Sequence, residues 1–440
     1  MALAGAAAFT QAAIGFPGEL DWSFGKVTTP IPLGVPWSQA RVELAATPDG
    51  GSVVAEGHTI VRYRADGNLE TGFGSDGVRR IVLPQAVDFE VGDLAVDSEG
   101  KVVVIGTATR LGSTRQPPPS FAAVVRYLPD GTLDLDFGGG RGYVMGRFGL
   151  GSGRGAPTVT ASLGAVSPRG WIALIVGTIG RTPTCGGPPQ LREHDRLVVW
   201  LNPDGSRTRL GDRGVERIDP LERVAGMAFS VGGETVLAGA LPRPCGRGPE
   251  SGVISLREDG TRRPAFALAG LRRLTGRVAA IAVDRHGRTV VLFKEKQRPA
   301  RDEHAYKVLR LLADGEQDPA FSGGWVVYTA QGPSYRWTDL VIDSHDRPLL
   351  IGTLVRELPT DRGRHRFHRW FMVVPLRRSG LLRNKLGWRG WIAITRFDEH
   401  SDAAAGEALL EGDRWLLIAG TVRRPTLAPR GGIGLVRLGL

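Results

Sequence analysis

Apolar residues in this chain come in short runs, two at a time, with a Gly-containing turn between them. The clearest copy is Asp93-Leu-Ala-Val-Asp-Ser-Glu-Gly-Lys-Val-Val-Val-Ile-Gly106. The phrase recurs at Glu43 to Glu56, Leu163 to Gly177, Gly226 to Gly239, Ala280 to Phe293 and Asp339 to Gly352, with a weaker copy at Glu407 to Gly420. Both arms are β-rich and the join is made of turn residues, so each copy predicts a β-hairpin. A second phrase follows each hairpin after a variable gap: an apolar run with a basic residue, then Asp-Gly, as in Val124-Val-Arg-Tyr-Leu-Pro-Asp-Gly131. A third phrase, Phe-Gly and then a short strand, is clearest at Leu69 to Val78 and Leu133 to Val144. Each unit therefore supplies four strands, here called A, B, C and D.

One such unit cannot bury both faces of its small sheet, whereas a closed ring of units can, since each blade then packs on two neighbours. The expected fold is all-β: a seven-bladed β-propeller with four antiparallel strands per blade. Leu20-Asp-Trp-Ser-Phe-Gly25 reads as a D phrase with no A, B or C before it, and Glu407 to Leu440 reads as A, B and C with no D after it. An N-terminal strand from Lys26 to Pro32 is thus expected to complete the last blade and hide two sheet edges. Residues 1–19 form a tail in this reading, and 20–440 one domain.

The consensus Leu-Asp-x-x-Phe-Gly-x-x-Gly-x-Val, Ala-Val-Asp-x-x-Gly-Lys-Val-Val-Val-x-Gly and Phe-Ala-x-Val-Arg-Tyr-x-x-Asp-Gly-x-Leu-Asp resembles the delta-60 repeat family of bacterial propeller-like proteins. The resemblance is closest over Leu69 to Asp136. It implies a propeller and export, and it implies no particular activity.

Composition adds three points. Hydrophobic residues make up 42% of the chain, enough for a large core. The 62 Gly and 29 Pro fall between the apolar runs, where tight turns need them. The net charge of +11 favours an anionic partner. No apolar run is long enough for a membrane-spanning helix. The N-terminus is Ala-rich and apolar up to Ile14 but has no basic residue before Lys26, like the end of a secretory signal. The two cysteines, Cys185 and Cys245, fall in the B–C gaps of adjacent units. A disulfide between them would close a loop of about 60 residues, for roughly 4 kcal/mol, and fit a secreted or cell-envelope location.

The B–C gaps are Pro-rich, polar and basic, and they read as loops on one face. The fifth holds Lys294, Lys296, Arg298 and Arg301; the sixth holds Arg362, Arg364, His365, Arg366, His368 and Arg369. Loops on a rigid scaffold are the usual seat of binding, so these are candidate contacts for an anionic polymer or a protein. A charge run can equally be a solvated surface. An acid recurs at the start of strand A: Glu43, Asp93, Asp339 and Glu407. Strand A is innermost in a propeller, so these acids would ring the channel mouth, there to hold a cation or polar ligand or to cap a neighbouring blade's backbone. Asp130, Asp134 and Asp136 read as turn formers. His286, His304, His345 and His400 read as surface residues. No cofactor motif, nucleophile triad or metal-ligand spacing is present. The expectation is a monomeric, exported, non-enzymatic binding propeller with no membrane span, no cofactor and no metal, nucleic acid being disfavoured. The alternatives are a glycan hydrolase or lyase using the channel acids, and a structural scaffold.

Overall fold

A computed structural model describes residues 21, 24, 26–29, 41–84, 86–111, 118–151, 158–167, 169–184, 187–242, 249–298, 303–321, 334–359, 365–383, 392–394, 402–423 and 432–440. The protein is a seven-bladed β-propeller. Its described strands form seven antiparallel sheets in the order A–B–C–D. The blades run over residues 43–80, 86–146, 158–217, 223–275, 277–311, 334–394 and 402–439. Strand D of blade 5 falls outside the described residues. Strand D of blade 7 is Lys26–Thr29, paired antiparallel with Gly432–Gly439 in the register Lys26↔Val436 to Thr29↔Ile433. The ring is therefore closed by pairing the two ends of the chain.

The core lies between blades. Strand B of blade 1 shows the principle: alternate residues face opposite neighbours because strand side chains alternate with period two. Val53 and Ala55 pack toward blade 2 with Val102 and Val104. Val54 packs toward blade 7 with Leu417 and Leu435. Strands buried on both faces read as unbroken apolar runs, which is why Val-Val-Val-Ile recurs rather than an alternation.

Strand A of blades 2 to 7 carries a β-bulge at one repeated place, such as Val91/Asp93, Ala161/Leu163 and Trp337/Asp339. The bulge explains the recurring Gly at the end of strand B. A Cβ on Gly106 would lie 2.2 Å from the Glu90 carbonyl oxygen, and one on Gly239 would lie 2.1 Å from that of Arg223. No side chain fits at these two positions, whereas blade 5 accommodates Phe293 at the equivalent place opposite Val278.

The second and third phrases make a clasp between blades. Arg126 on strand C of blade 2 donates Nε–H to Asp134 Oδ2 at 2.7 Å, stacks 4.6 Å over Phe137, and donates Nη1–H to the Pro203 carbonyl in blade 3. Arg310 repeats this with Asp318, Phe321 and the Arg378 carbonyl of blade 6. Arg437 does so across the seam: it binds Asp21 at 2.8 and 2.5 Å, stacks 4.6 Å over Phe24, and reaches the Ala65 carbonyl of blade 1 at 2.6 Å. Asp134, read from the sequence as a turn former, is thus a buried ion-pair partner.

The basic B–C segments differ from the expected loops. The ladder between strands B and C continues outward through them. Strand B of blade 6 runs to Pro359 and strand C starts at His365, with Arg356 opposite His368. Lys294, Lys296 and Arg298 lie within strand B of blade 5, Thr289–Arg298. An extended hairpin satisfies the backbone donors and acceptors that a loop would leave to water, so the polar composition did not prevent strand formation. His304 lies on strand C of blade 5 opposite Lys296, whereas Arg301, Arg362, Arg364, His400, Cys185 and Cys245 lie outside the described residues, as does the N-terminal tail.

Candidate functional site: the carboxylate arc of the central channel

The four strand-A acids occupy one structural position. Each lies opposite the same strand-B residue of its blade: Glu43↔Ala55, Asp93↔Ile105 and Asp339↔Ile351, with Glu407 at the bulge opposite Ala419. Blades 3, 4 and 5 place Leu163, Gly226 and Ala280 there. The acids therefore belong to four consecutive blades, 6, 7, 1 and 2, and form an arc facing an apolar wall. In blades 2, 6 and 7 the bulge re-aims the acid toward the axis, whereas in blade 1 the described strand begins at Glu43 itself.

Both sides line a central cavity of about 750 Å³, the acids together with Leu163, Met227 and Ile281, and Arg41 and Arg336 lie beside them. Carboxylate oxygens of Glu43, Asp93 and Glu407 all lie within 4.8 Å of one another. Some oxygens are bound to backbone. Asp93 accepts from Leu94 N–H at 2.7 Å and from Gly164 N–H of blade 3 at 2.7 Å. Asp339 accepts from Leu340 N–H at 2.7 Å and from Ala408 N–H of blade 7 at 2.9 Å. Glu407 accepts from Leu44 N–H of blade 1 at 2.6 Å. Glu43 hydrogen-bonds instead to the Glu407 side chain, and Arg41 approaches it at 3.9 Å. The acids thus cap neighbouring blades and also crowd one another.

Crowding in a desolvated mouth disfavours charge. Burial, with the Glu43 carboxylate nearby, pushes Asp93 up to about 8. Burial raises Asp339 to about 6 against the pull of its two backbone donors. Burial and then Glu43, Asp93 and Asp339 hold Glu407 well above the usual carboxylate range. Burial raises Glu43, opposed by Arg41. The arc is a reservoir of protons that a cation can replace, and its three convergent carboxylates are chemically suited to an ammonium group or a hard metal ion.

The basic candidates are dispersed by comparison. Lys294 lies 5.6 Å over the Tyr306 ring, the Arg369 backbone N–H binds Asp402, and His368 stacks beside Trp370. Sequence reading missed Arg41 and Arg336 at the channel, and it missed the apolar wall. The recurrence of the bulge position could have shown the latter.

Residues 98–137 match a family profile described as a domain of unknown function (DUF5122) beta-propeller. No curated protein matches the chain. Among solved structures, a protein of unknown function from Dyadobacter fermentans is 10% identical, with a TM-score of 0.42, covering 82% of this chain and 97% of that one. An ulvan lyase of a polysaccharide lyase family is 11% identical, with a TM-score of 0.47, covering 96% of each chain. The β-propeller domain of the Trilobed protease from Pyrococcus furiosus is 10% identical, with a TM-score of 0.39, covering 77% of this chain and 82% of that one. At such identities none of the three transfers a ligand or a reaction to this chain.

Proposed function

We propose that this propeller is a non-enzymatic binding module for a protein partner, engaged by the B–C hairpins and the central channel. The supporting observation is the carboxylate arc: three carboxyl groups converge within 4.8 Å in a cavity with an apolar opposite wall. A Lys or Arg side chain of the partner adds a cation at Asp93 and Glu407, beyond the Arg41 that pairs with Glu43, and its aliphatic stem lies on Leu163, Met227 and Ile281. The basic hairpins outside take acidic flanking residues. A purely anionic polymer fits the hairpins but is opposed by the arc.

The test is calorimetric titration with the peptide Asp-Gly-Lys-Gly-Asp and its Ala-centred counterpart, in buffers of different ionisation heat. The expected result is tighter binding of the Lys peptide with protons released, and loss of that preference in Glu43→Gln/Glu407→Gln. Equal binding of both peptides would overturn the reading. Export belongs to the same proposal. It rests on the Ala-rich N-terminus and on the Cys185 and Cys245 positions, and mass spectrometry of the native protein for a Cys185–Cys245 disulfide tests it.

Glycan cleavage is a second reading, favoured by the hydrogen-bonded Glu43–Glu407 pair beside Asp93, which keeps its proton to about 8. A protonated carboxyl beside a partly charged one is the acid–base pairing that glycosidic cleavage uses. Release of reducing ends from uronate-containing polysaccharides, abolished by Glu407→Gln, would favour it.

A further inference from the structure

The A–B turns share one construction: the first residue accepts from the backbone further along the turn, and the fourth sits in the left-handed region. In blades 1 to 5 that fourth residue is Gly50, Gly100, Gly170, Gly233 and Gly287, all with positive φ. Blade 6 has Asp346 there, at φ 59° and only 2% exposed. Four cationic or ionisable side chains surround its carboxylate: Arg288 Nη2 at 3.1 Å, and Arg285 Nε, His286 Nε2 and Arg378 Nη2 each at 3.3 Å.

Two further positions of the repeat are cationic in blade 6. The residue two before the C–D turn glycine is Ala65, Pro129, Pro203, Glu258 and Ala313 in blades 1 to 5, and here it is Arg378. The residue whose N–H bonds back to strand C is Glu70, Asp134, Asp318 and Asp21 in the blades that carry a strand-C Arg. In blade 6, whose strand C has Pro375 in place of the Arg, it is Arg383; blade 4 likewise has Arg263 there, but Glu234 pairs with that guanidinium at 3.0 Å. Arg383 has no ion pair among the described residues, and burial together with the nearby Arg347 guanidinium holds it below the usual arginine range. The acids at this junction are used up beneath the surface. Asp284 holds Arg288 at 2.6 Å, Asp343 holds Arg347 at 2.5 Å, and Asp346 is enclosed as described. What faces outward is cationic: Arg285 and Arg378 are 57% and 60% exposed.

We infer that the junction of blades 5 and 6, on the A–B and C–D turn face, is a docking surface for a sulfated polysaccharide. This face is opposite the B–C hairpins, so the inference is independent of the proposed function. A guanidinium fork takes two oxygens of an oxyanion at once. The buried Asp346 fixes Arg285 and Arg378 relative to each other, which removes part of the ordering cost of binding. These turns carry no Phe, Tyr or Trp on which a nucleobase could stack, which disfavours single-stranded nucleic acid.

The experiment titrates the full chain with dextran sulfate, plain dextran and sodium sulfate over a range of salt. The expected result is salt-dependent binding of dextran sulfate only. Arg285→Gln/Arg378→Gln should weaken it about tenfold or more and make the slope of log K against log salt shallower by about two. Arg285→Lys/Arg378→Lys should keep the slope yet lose affinity, and this pair serves if the Gln pair fails to fold. Unchanged affinity and slope in both pairs would overturn the inference. So would a loss seen only in Lys294→Gln/Lys296→Gln/Arg298→Gln, which would move binding to the hairpin face. Equal binding of duplex DNA, lost equally in the same variants, would overturn the polysaccharide assignment.

Discussion

Arg437 is the residue whose removal should open the ring. Its guanidinium binds Asp21, Phe24 and Ala65, all from the other end of the chain, and it pairs with Glu411 at 3.3 Å. Replacement by Met keeps most of the stem and deletes the charge. Asp21 is 4% exposed and would lose the guanidinium that neutralises its carboxylate. Removing one partner of a buried pair costs about 3–5 kcal/mol, and the lost cation–π contact adds about 1 kcal/mol. Arg126→Met removes the corresponding contacts of blades 2 and 3 but leaves Lys101 3.6 Å from Asp134, so its local cost is similar or somewhat smaller. The two differ in what is released. Blade 2 stays tethered at both ends, whereas blade 7 loses a main anchor of its separate fourth strand. Thermal unfolding should show comparable losses, while hydrogen exchange should show Lys26–Thr29 and Gly432–Gly439 opening first in Arg437→Met only. Asp21→Leu/Arg437→Met should be less damaging than Arg437→Met alone, because one carboxylate, Glu411, rather than two then loses the guanidinium. A loss under about 1 kcal/mol for Arg437→Met, or no selective exchange at the seam, would refute the clasp argument.

The channel acids give a pH prediction. Asp93 and Asp339 hold protons in the fold to about 8 and about 6, above their ordinary values. Their stability contribution is therefore complete below about pH 4 and is lost as pH rises through those values, at up to about 1.4 kcal/mol per pH unit for each group. Asp93→Asn forfeits an acceptor for Gly164 or Leu94, so the slope of stability between pH 6 and 8 is the readout, and it should flatten. Gly106→Ala should destabilise by about 2 kcal/mol or more, since its Cβ would meet the Glu90 carbonyl, whereas Gly139→Ala, with open space around it, should cost only about 1 kcal/mol for its positive φ. Asp346→Gly relieves backbone strain of about 1 kcal/mol but leaves clustered cations facing one another. Its melting temperature should fall at low salt and recover at high salt, and a salt-independent result would contradict the electrostatic account.

The architecture was legible because its determinants are local. Paired apolar runs, Asp-Gly turns and the split D and A–B–C phrases at the chain ends specify strands, hairpins and the closing strand, without any long-range information. Much of the site was not. Glu43, Asp93, Asp339 and Glu407 could be placed on strand A, but their arc depends on ring order, and their crowding on side-chain direction after a bulge. The roles of Arg126 and Asp134 were hidden because the acceptor, the Pro203 carbonyl, lies in the next blade. The hairpin extensions at Arg356 and His368 were read as loops because their ladder is made by backbone, on which polar composition is silent. Arg285, Arg378 and Arg383 belong to three separate turns, and only the folded ring assembles them.

The clasp has a direction: each guanidinium comes from one blade and its carbonyl from the following one. Such a contact is head-to-tail, like the interface between subunits of a cyclic oligomer. A head-to-tail joint does not encode how many units make a turn, because each blade with a strand-C Arg presents the same donor forward and meets a turn carbonyl of the same kind in whichever blade follows. The number seven must then be set by the wedge angle between sheets, through side-chain volume in the layers between them. Deleting or duplicating a whole blade would leave the polar joints chemically matched while misfitting the apolar layers. Ring size in this protein should accordingly respond to core volume and be insensitive to the clasp.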